Sequence, residues 1–309
     1  MSLSGNILST IAYHDALDRP LTAFEVWKHL IIDDRESASP GSYRLGDVVS
    51  ALGETDMRTR IASCDGFYVL PGREFLADRR IRAEKVAVAK LHRVRRLART
   101  LRLVPFVRMI GITGSLAMKS GTTESDWDFF VVLRFGRIWI GRTVLTVYLH
   151  LLRKRRHGER TRDRVCLNYF VTDDHLVIPT EDLYSANEYS FLIPLLGKET
   201  FRRFELRNRW IAKMKPDFLP TETMPLWYVP ESDGSSFIRA VFERVLGFDV
   251  LEAWLGKWQK AKIMRNPKTK TEGGHIEATD QALVFLPCPH GPSVYETYRK
   301  RLGDIRLKR

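Results

Sequence analysis

Two aspartates separated by one residue, Asp126 and Asp128, stand beside an apolar run from Phe129 to Leu133. If this segment is a β-strand, both carboxylates project from the same face of a sheet, because side chains alternate along a strand. Trp127, between them, then points to the opposite face and into the core. Carboxylate oxygens are the ligands that hard divalent cations prefer. The pattern therefore predicts a binding site for Mg²⁺ or Mn²⁺ at Asp126 and Asp128.

A Gly114-Ser115 pair precedes the aspartates, and a loop containing Gly121 connects the two motifs. A Gly-Ser turn that opens a short helix presents backbone N–H groups and a hydroxyl to an anion such as a triphosphate. Lys119 ends that short helix, where it can reach a phosphate or simply face solvent. An anion site is thus predicted next to the cation site.

The order of strand, Gly114-Ser115, short helix, loop and Asp126-x-Asp128 on a second strand resembles the polymerase-β-type nucleotidyltransferase superfamily over residues 104–178. The helical region after it is also similar to uncharacterised bacterial nucleotidyltransferase-domain proteins. This resemblance implies an α+β fold whose polymerase-β-like core is a mixed sheet with helices. It implies a nucleotide moved from an NTP to an acceptor hydroxyl, with Mg²⁺ or Mn²⁺ held by Asp126 and Asp128. Gly114 and Ser115 would bind the β- or γ-phosphate.

One position departs from that superfamily, whose members often carry a third carboxylate on a later strand. Here that strand runs from Val165 to Val171, and Asn168 is the closest match to the missing carboxylate. An amide oxygen ligates a cation weakly and cannot act as a base near neutral pH. Asp173 and Asp174 could substitute, but they read better as turn residues. Whether the chain is an enzyme stays open, because a nucleic-acid-binding or regulatory protein with a degenerate core is the alternative.

The charge of the chain favours a polyanionic partner. Its 309 residues carry a net charge of +13, which is typical of nucleic-acid binding. Between Arg79 and Arg108, eleven Lys or Arg residues stand against one Glu. We expect RNA rather than DNA as the acceptor, while a small-molecule acceptor explains the charge less well. The predicted contacts lie on a long basic helix and in a later basic loop: Lys85, Arg95, Arg96, Arg99, Arg153, Arg155 and Arg156.

Hydrophobic spacing divides the chain into three parts. Residues 1–77 predict three helices, the last from Tyr43 to Leu52, and a hairpin whose turn at Asp65-Gly66 precedes a strand from Phe67 to Leu70. That order is winged-helix-like, although the expected recognition helix is poor in Arg and Lys. Residues 78–180 predict a long basic helix and the nucleotidyltransferase core, with Leu176 to Ile178 as a possible extra strand. Residues 181–309 predict a mostly helical region.

Cysteine use and hydropathy indicate a cytoplasmic protein. Cys64, Cys166 and Cys288 are odd in number and widely separated, which indicates a reducing compartment without a disulfide framework. The first residues lack the pattern of a signal peptide. The apolar segment from Ile138 to Leu152 is shorter than the ~20 residues of a membrane span, so a buried helix is predicted and no membrane partner is expected. The sequence leaves the oligomeric state open.

Overall fold

The computed structural model describes residues 2–32, 43–219 and 223–307. The N-terminal part of the chain is a helical unit closed by a small sheet. The elements of this unit are α1 (Leu3–Ala16), β1 (Leu21–Thr22), α2 (Ala23–Lys28), α3 (Leu45–Gly53), α4 (Thr55–Arg60), β2 (Ala62–Cys64) and β3 (Phe67–Val69). The β2–β3 turn holds Asp65 and Gly66 at positive φ, as a two-residue hairpin turn requires. The predicted hairpin is therefore confirmed.

Two details of this unit differ from the sequence-based expectation. The predicted third helix is followed by an additional one, α4, because Glu54 has extended backbone angles and separates it from α3. The short strand β1 pairs with β3, so the hairpin becomes a three-stranded sheet in the order β1-β3-β2. Strands of two or three residues are too short for hydrophobic alternation to reveal them.

The centre of the molecule is a mixed sheet. Its strands are β4 (Val107–Thr113), β5 (Trp127–Leu133), β6 (Val165–Thr172), β7 (Ile193–Leu196), β8 (His275–Ala278) and β9 (Ala282–Leu286). They lie in the order β7-β4-β5-β6-β9-β8. Only β5 and β6 run parallel, and the other neighbouring pairs are antiparallel. The predicted α+β class with a mixed sheet is confirmed.

The other helices are α5 (Leu76–Leu101), α6 (Gly114–Ala117), α7 (Ile138–Leu151), α8 (Leu183–Ser190), α9 (Lys198–Arg207), α10 (Asp233–Leu246), α11 (Asp249–Arg265) and α12 (Gly291–Leu307), with 3-10 segments at Arg209–Lys213 and Pro267–Lys270. The long basic helix and the buried helix α7 were both predicted. Among the described residues, no helix is long and apolar enough to cross a membrane.

The two faces of the central sheet are buried by different helices. On β5, Phe129 and Val131 belong to the hydrophobic cluster that contains residues of α5 and α7, whereas Phe130 and Val132 belong to the cluster that contains Phe204 of α9. Trp127 is fully buried with the first set, as the alternation predicted. Asp126 and Asp128 have the opposite parity, so they belong to the side of α8 and α9.

The C-terminal region, residues 181–309, is mostly helical in the part that the structure describes, as predicted, but it also holds three strands that the sequence did not predict. It contributes β7 to one edge of the central sheet and β8 and β9 to the other. Residues 176–178, by contrast, are not a strand. The last helix, α12, packs on α1 and places Tyr298, Leu302 and Ile305 in the hydrophobic core of the N-terminal unit. The predicted boundary at residue 77 therefore leaves that core incomplete, because α12 supplies part of it.

Candidate functional site

The carboxylates of Asp126 and Asp128 meet at the end of β5, where the chain enters the central sheet. Asp128 lies opposite Thr113, the last residue of β4, and opposite Cys166 on the parallel strand β6. One ligand atom each from Asp126, Asp128 and Cys166 lie within 4.8 Å of one another. The predicted aspartate pair is thus brought together, and Cys166 joins it through strand register.

Gly114 is required by the close approach of its turn to Asp128. Its φ is +66°, and a Cβ added there would lie 2.5 Å from Asp128 Oδ2, so any other residue would collide with the carboxylate. Gly121 packs in a similar way, since a Cβ there would lie 3.0 Å from Ser115 Oγ. Both glycines therefore bring backbone close to the predicted ligands, and the Gly114-Ser115 turn and the aspartates form one site.

The two β6 side chains at the site, Cys166 and Asn168, carry no charge. A register shift between β5 and β6 falls at residues 128–130 of β5, and Asn168 Nδ2 donates to Asp128 Oδ1 at 3.4 Å. Cys166 lies at the same carboxylates; burial, together with the nearby Asp128 and Asp126 charges, raises the pKa of its thiol to about 12. A protonated thiol and an amide are both present, and neither can accept a proton near neutral pH. Asn168 thus lies on β6 beside Asp128, and its role in binding a ligand stays a prediction.

A further carboxylate, Glu188 of α8, completes the site and was not predicted. Gly114 N–H donates to Glu188 Oε1 at 2.6 Å, and the Thr113 hydroxyl also donates to this carboxylate. Gly114 is therefore held between two acidic side chains, Asp128 against its α-carbon and Glu188 on its amide. Sequence patterns gave no sign of Glu188, because it is a lone carboxylate in a helix about 60 residues after the aspartates.

Burial raises the pKa values of two carboxyl groups of the site, Asp128 and Glu188. Burial, followed by the charges of Asp126 and Glu188, raises the pKa of Asp128 to about 7. Burial also raises the pKa of Glu188, although the hydrogen bonds from Gly114 and Thr113 oppose this. Such a site is most stable when a proton or a cation offsets its negative charge.

Arg156 is the nearest positive charge to the aspartates. Its Nη1 donates to Asp126 Oδ2 at 2.6 Å and lies 3.7 Å from Cys166 Sγ. The guanidinium stays partly exposed, with 43% of the side chain accessible. Arg156 was predicted as a nucleic-acid contact. The structure places its guanidinium beside Asp126, and the contact with nucleic acid stays a prediction.

The other predicted basic residues are dispersed. Lys85, Arg96 and Arg99 are exposed on α5, Arg153 is exposed in the loop after α7, and Arg95 and Arg155 are half-buried. Arg155 faces the Thr146 hydroxyl at 3.5 Å. Lys119 pairs with Glu84 of α5 at 3.0 Å, a contact that gives it a local structural role. A phosphate contact by Lys119 stays a prediction.

Part of the basic helix α5 anchors the loops around the site. Lys90, which is buried, donates from Nζ to the Ser125 carbonyl at 2.5 Å, immediately before Asp126. Arg93 forms an ion pair with Asp163 in the loop that also carries Arg156. The one-sided charge of α5 is thus partly explained by these loop contacts, whereas Lys85, Arg96 and Arg99 have no partner among the described residues.

A second charged region, the basic junction, lies behind the Gly114-Ser115 turn. We define it as His14, Arg19, His29, Arg80 and Lys215, all of them in or against the N-terminal unit. Arg19 Nε and Arg80 Nη1 donate to the carbonyl of Met118, at 3.0 and 3.2 Å, just after α6. Both guanidiniums also bind Glu25 Oε1, at 2.5 and 2.9 Å. The N-terminal unit therefore contacts the helix that carries Ser115.

The remaining members of the basic junction surround Phe191. His29 stacks on this ring at 4.1 Å, and Lys215 Nζ lies 5.3 Å from its centre. Burial lowers the pKa of His14, His29 and Lys215 well below their ordinary values, and the neighbouring cations add to the effect. Neither ring nitrogen of His14 has a hydrogen-bond partner among the described residues. These groups are thus buried where a charged form is unfavourable.

Comparison with protein-family models, with curated proteins and with solved structures gave no match to this chain. Function is therefore inferred from the geometry and chemistry of the site alone.

Proposed function

We propose that this protein is a divalent-metal-dependent nucleotidyltransferase that moves a nucleotide from an NTP to an acceptor hydroxyl, with RNA as the preferred acceptor. The observation that carries the proposal is the contact between the Gly114 turn and Asp128, where a Cβ would lie only 2.5 Å from the carboxylate. This contact supports the proposal because it brings the turn that would bind phosphate beside the two carboxylates that would bind the cation.

The donor atoms fit Mg²⁺ or Mn²⁺. Asp126 and Asp128 offer hard oxygen ligands, while the high pKa of Cys166 keeps its thiol protonated and makes it a poor ligand near neutral pH. When bound, the cation would offset charge on the triphosphate and on the leaving pyrophosphate. The Ser115 hydroxyl would donate to a phosphate oxygen, and Arg156 would exchange its bond with Asp126 for one with the phosphates.

The missing third carboxylate changes how the acceptor is activated in this proposal. Because Asn168 and Cys166 cannot take a proton near neutral pH, no base stands on β6. The acceptor oxygen would attack the α-phosphorus in line, the bond to pyrophosphate would break, and the hydroxyl proton would pass to solvent water. Positioning and electrostatic stabilisation would provide the rate enhancement. Glu188 acts as a positioning residue, since it holds the amide of Gly114 and the hydroxyl of Thr113 at the turn.

The exposed cations support a polyanionic acceptor. The side chains of Lys85, Arg96 and Arg99 on α5 and of Arg153 after α7 have no hydrogen-bond or ion-pair partner among the described residues, so they remain available to phosphates. Reversing the charges of Arg96 and Arg99 should weaken RNA binding and reduce the slope of its salt dependence. An unchanged slope would exclude α5 as the binding face.

The direct test is transfer of label from each α-labelled NTP, with Mg²⁺ or Mn²⁺, to separate pools of RNA, DNA and small hydroxyl compounds. The wild type should label one pool, and Asp126→Asn and Asp128→Asn should reduce transfer by at least about a hundredfold, because each loses a metal ligand. Asp56→Asn, which removes an exposed ion pair with Arg60 in the N-terminal unit, is the matched control. Equal transfer by wild type and both site variants would refute the proposal.

A second function is favoured by different observations. The site is internally satisfied, since Arg156 pairs with Asp126 and Glu188 accepts the Gly114 amide. In addition, the N-terminal order of helix, strand, helices and hairpin resembles a winged helix. A nucleic-acid-binding regulatory protein with a degenerate transferase core would share both features. Binding of duplex DNA with sequence preference by the full chain, with no label transfer, would support this second function.

A further inference from the structure

Helix α10 is attached to the molecule by one edge and leaves an apolar surface uncovered. Glu243 fixes it to the central sheet, accepting from the Phe106 amide at 2.8 Å and from Arg108 at 2.8 and 2.9 Å. Of its residues only Ser235 is buried. Its large apolar side chains are instead exposed, with Phe237 at 71%, Phe242 at 50% and Val245 at 58%. A contiguous exposed set of this kind marks an interaction surface.

The spacing of these side chains suits another helix. Ile238, Val241 and Val245 are separated by three and four residues, the spacing of a seam between two packed helices. Phe237 and Phe242 flank the seam. We call these five residues the α10 seam.

We propose that the α10 seam binds the same seam of a second copy of this chain, with the two helices antiparallel about a two-fold axis. The charges at the two ends of α10 are the reason for choosing a second copy as the partner. Asp233 lies in the first turn and Arg244 in the last turn, and both are exposed. In an antiparallel pair, each acidic end lies near the basic end of the other copy, and the helix dipoles also oppose each other.

Other occupants match this surface less well. A nucleic acid would be attracted by the net charge, but it offers no apolar surface to Phe237, Val241 and Phe242. A bilayer surface would favour several cations beside the apolar face, whereas the outward face of α10 has Arg244 and, at its other end, an acidic residue. A self-complementary contact uses both the apolar seam and the two opposite charges.

The test is sedimentation velocity of the full chain over a range of concentrations. The wild type should form a dimer, and Val241→Glu/Val245→Glu should dissociate at least tenfold more readily, because the new carboxylates would be buried in the apolar contact. Phe24→Glu is the matched control, since Phe24 is a similarly exposed apolar residue of the N-terminal unit. Circular dichroism shows whether each variant keeps its fold.

Charge reversal separates this arrangement from other contacts. Asp233→Arg and Arg244→Asp should each weaken the dimer, and the double variant should restore it, because opposite charges again meet at each end. A monomeric wild type, a dimer indifferent to Val241→Glu/Val245→Glu, or binding to anionic vesicles by a protein monomeric in solution would each overturn the proposal. These readouts do not require catalysis, so their outcome is independent of the transferase test.

Discussion

The acidic site and the basic junction each hold side chains of like charge close together, and they reduce the resulting repulsion in different ways. The site gathers Asp126, Asp128 and Glu188 with one nearby cation, Arg156. The junction gathers five basic groups with one carboxylate, Glu25. Both concentrate like charge in a partly or fully desolvated place, which is costly. They lie at the two ends of α6: Asp128 and Glu188 contact Gly114 at its start, and the Met118 carbonyl just after its end accepts from two members of the junction.

The difference between the two regions lies in access. The acidic site is only half-buried and keeps a partly exposed arginine at its mouth, so a cation or a phosphate can enter and change its charge. The side chains of Arg19, Lys215 and His14 are at most 3% exposed. There the protein itself lowers the charge, by carbonyl and carboxylate hydrogen bonds and by keeping the imidazoles neutral. The charges of the acidic site are thus accessible to a ligand, whereas those of the basic junction are enclosed within the fold.

The largest effect is expected from Glu25→Gln. This change leaves the Arg19 and Arg80 guanidiniums buried without their carboxylate, which should lower the free energy of unfolding by about 3–5 kcal/mol. Urea denaturation of the full chain measures it. Asp56→Asn should cost less than about 1 kcal/mol, because its ion pair is exposed. Similar losses in both variants would show that the junction does not depend on Glu25.

In the absence of metal, Asp128→Asn should raise the free energy of unfolding, whereas Glu25→Gln lowers it. Because the folded pKa of Asp128 is about 7 and its unfolded pKa is near 4, its contribution is fully present below pH ~4 and is lost as the pH rises through 7. The variant avoids this loss, so it should be more stable than wild type at pH 8, by about 2–4 kcal/mol at most. The gain should shrink towards pH 4. A variant that is less stable at pH 8 would contradict the desolvated-carboxylate account.

Because of the two histidines of the junction, the folded protein should become less stable as the pH falls. The folded pKa values of His14 and His29 are lowered, so both are neutral and without effect above the unfolded value of about 6.5. As the pH falls below that value, the unfolded state takes up protons that the folded state refuses. Stability should then fall by about 1.4 kcal/mol per pH unit for each histidine. Denaturation of wild type and His29→Phe at pH 7.5 and 5.5 measures this, and equal pH dependence in both would exclude His29 as a cause.

The smallest effect is expected at Lys119, which lies between the two regions. Its ion pair with Glu84 is partly exposed, so Lys119→Met should change the free energy of unfolding by less than about 1 kcal/mol. Affinity for an NTP analogue, measured by titration calorimetry, is the more informative readout. An unchanged affinity would assign Lys119 to the pair with Glu84, while a several-fold loss would support the predicted phosphate contact.

Local patterns predicted the parts of the fold that depend on local physics. Strand alternation placed Trp127 in the core and Asp126 and Asp128 together on one face. The Asp65-Gly66 turn fixed the hairpin, because its positive φ values suit those residues. The apolar stripe of α5 and the buried helix α7 were likewise readable from hydrophobic spacing. Strands β7, β8 and β9 were missed because strands of four or five residues carry little periodic signal.

The sequence by itself determined which residues could bind a cation and a phosphate, since these follow from side-chain chemistry and from the geometry of one strand and one turn. Only the tertiary structure brought Glu188 to the Gly114 amide, Arg156 to Asp126 and α12 to the core of the N-terminal unit. Each of these contacts joins segments far apart in the chain. Such contacts are selected by the packing of the whole fold, which leaves no periodic trace in the local sequence.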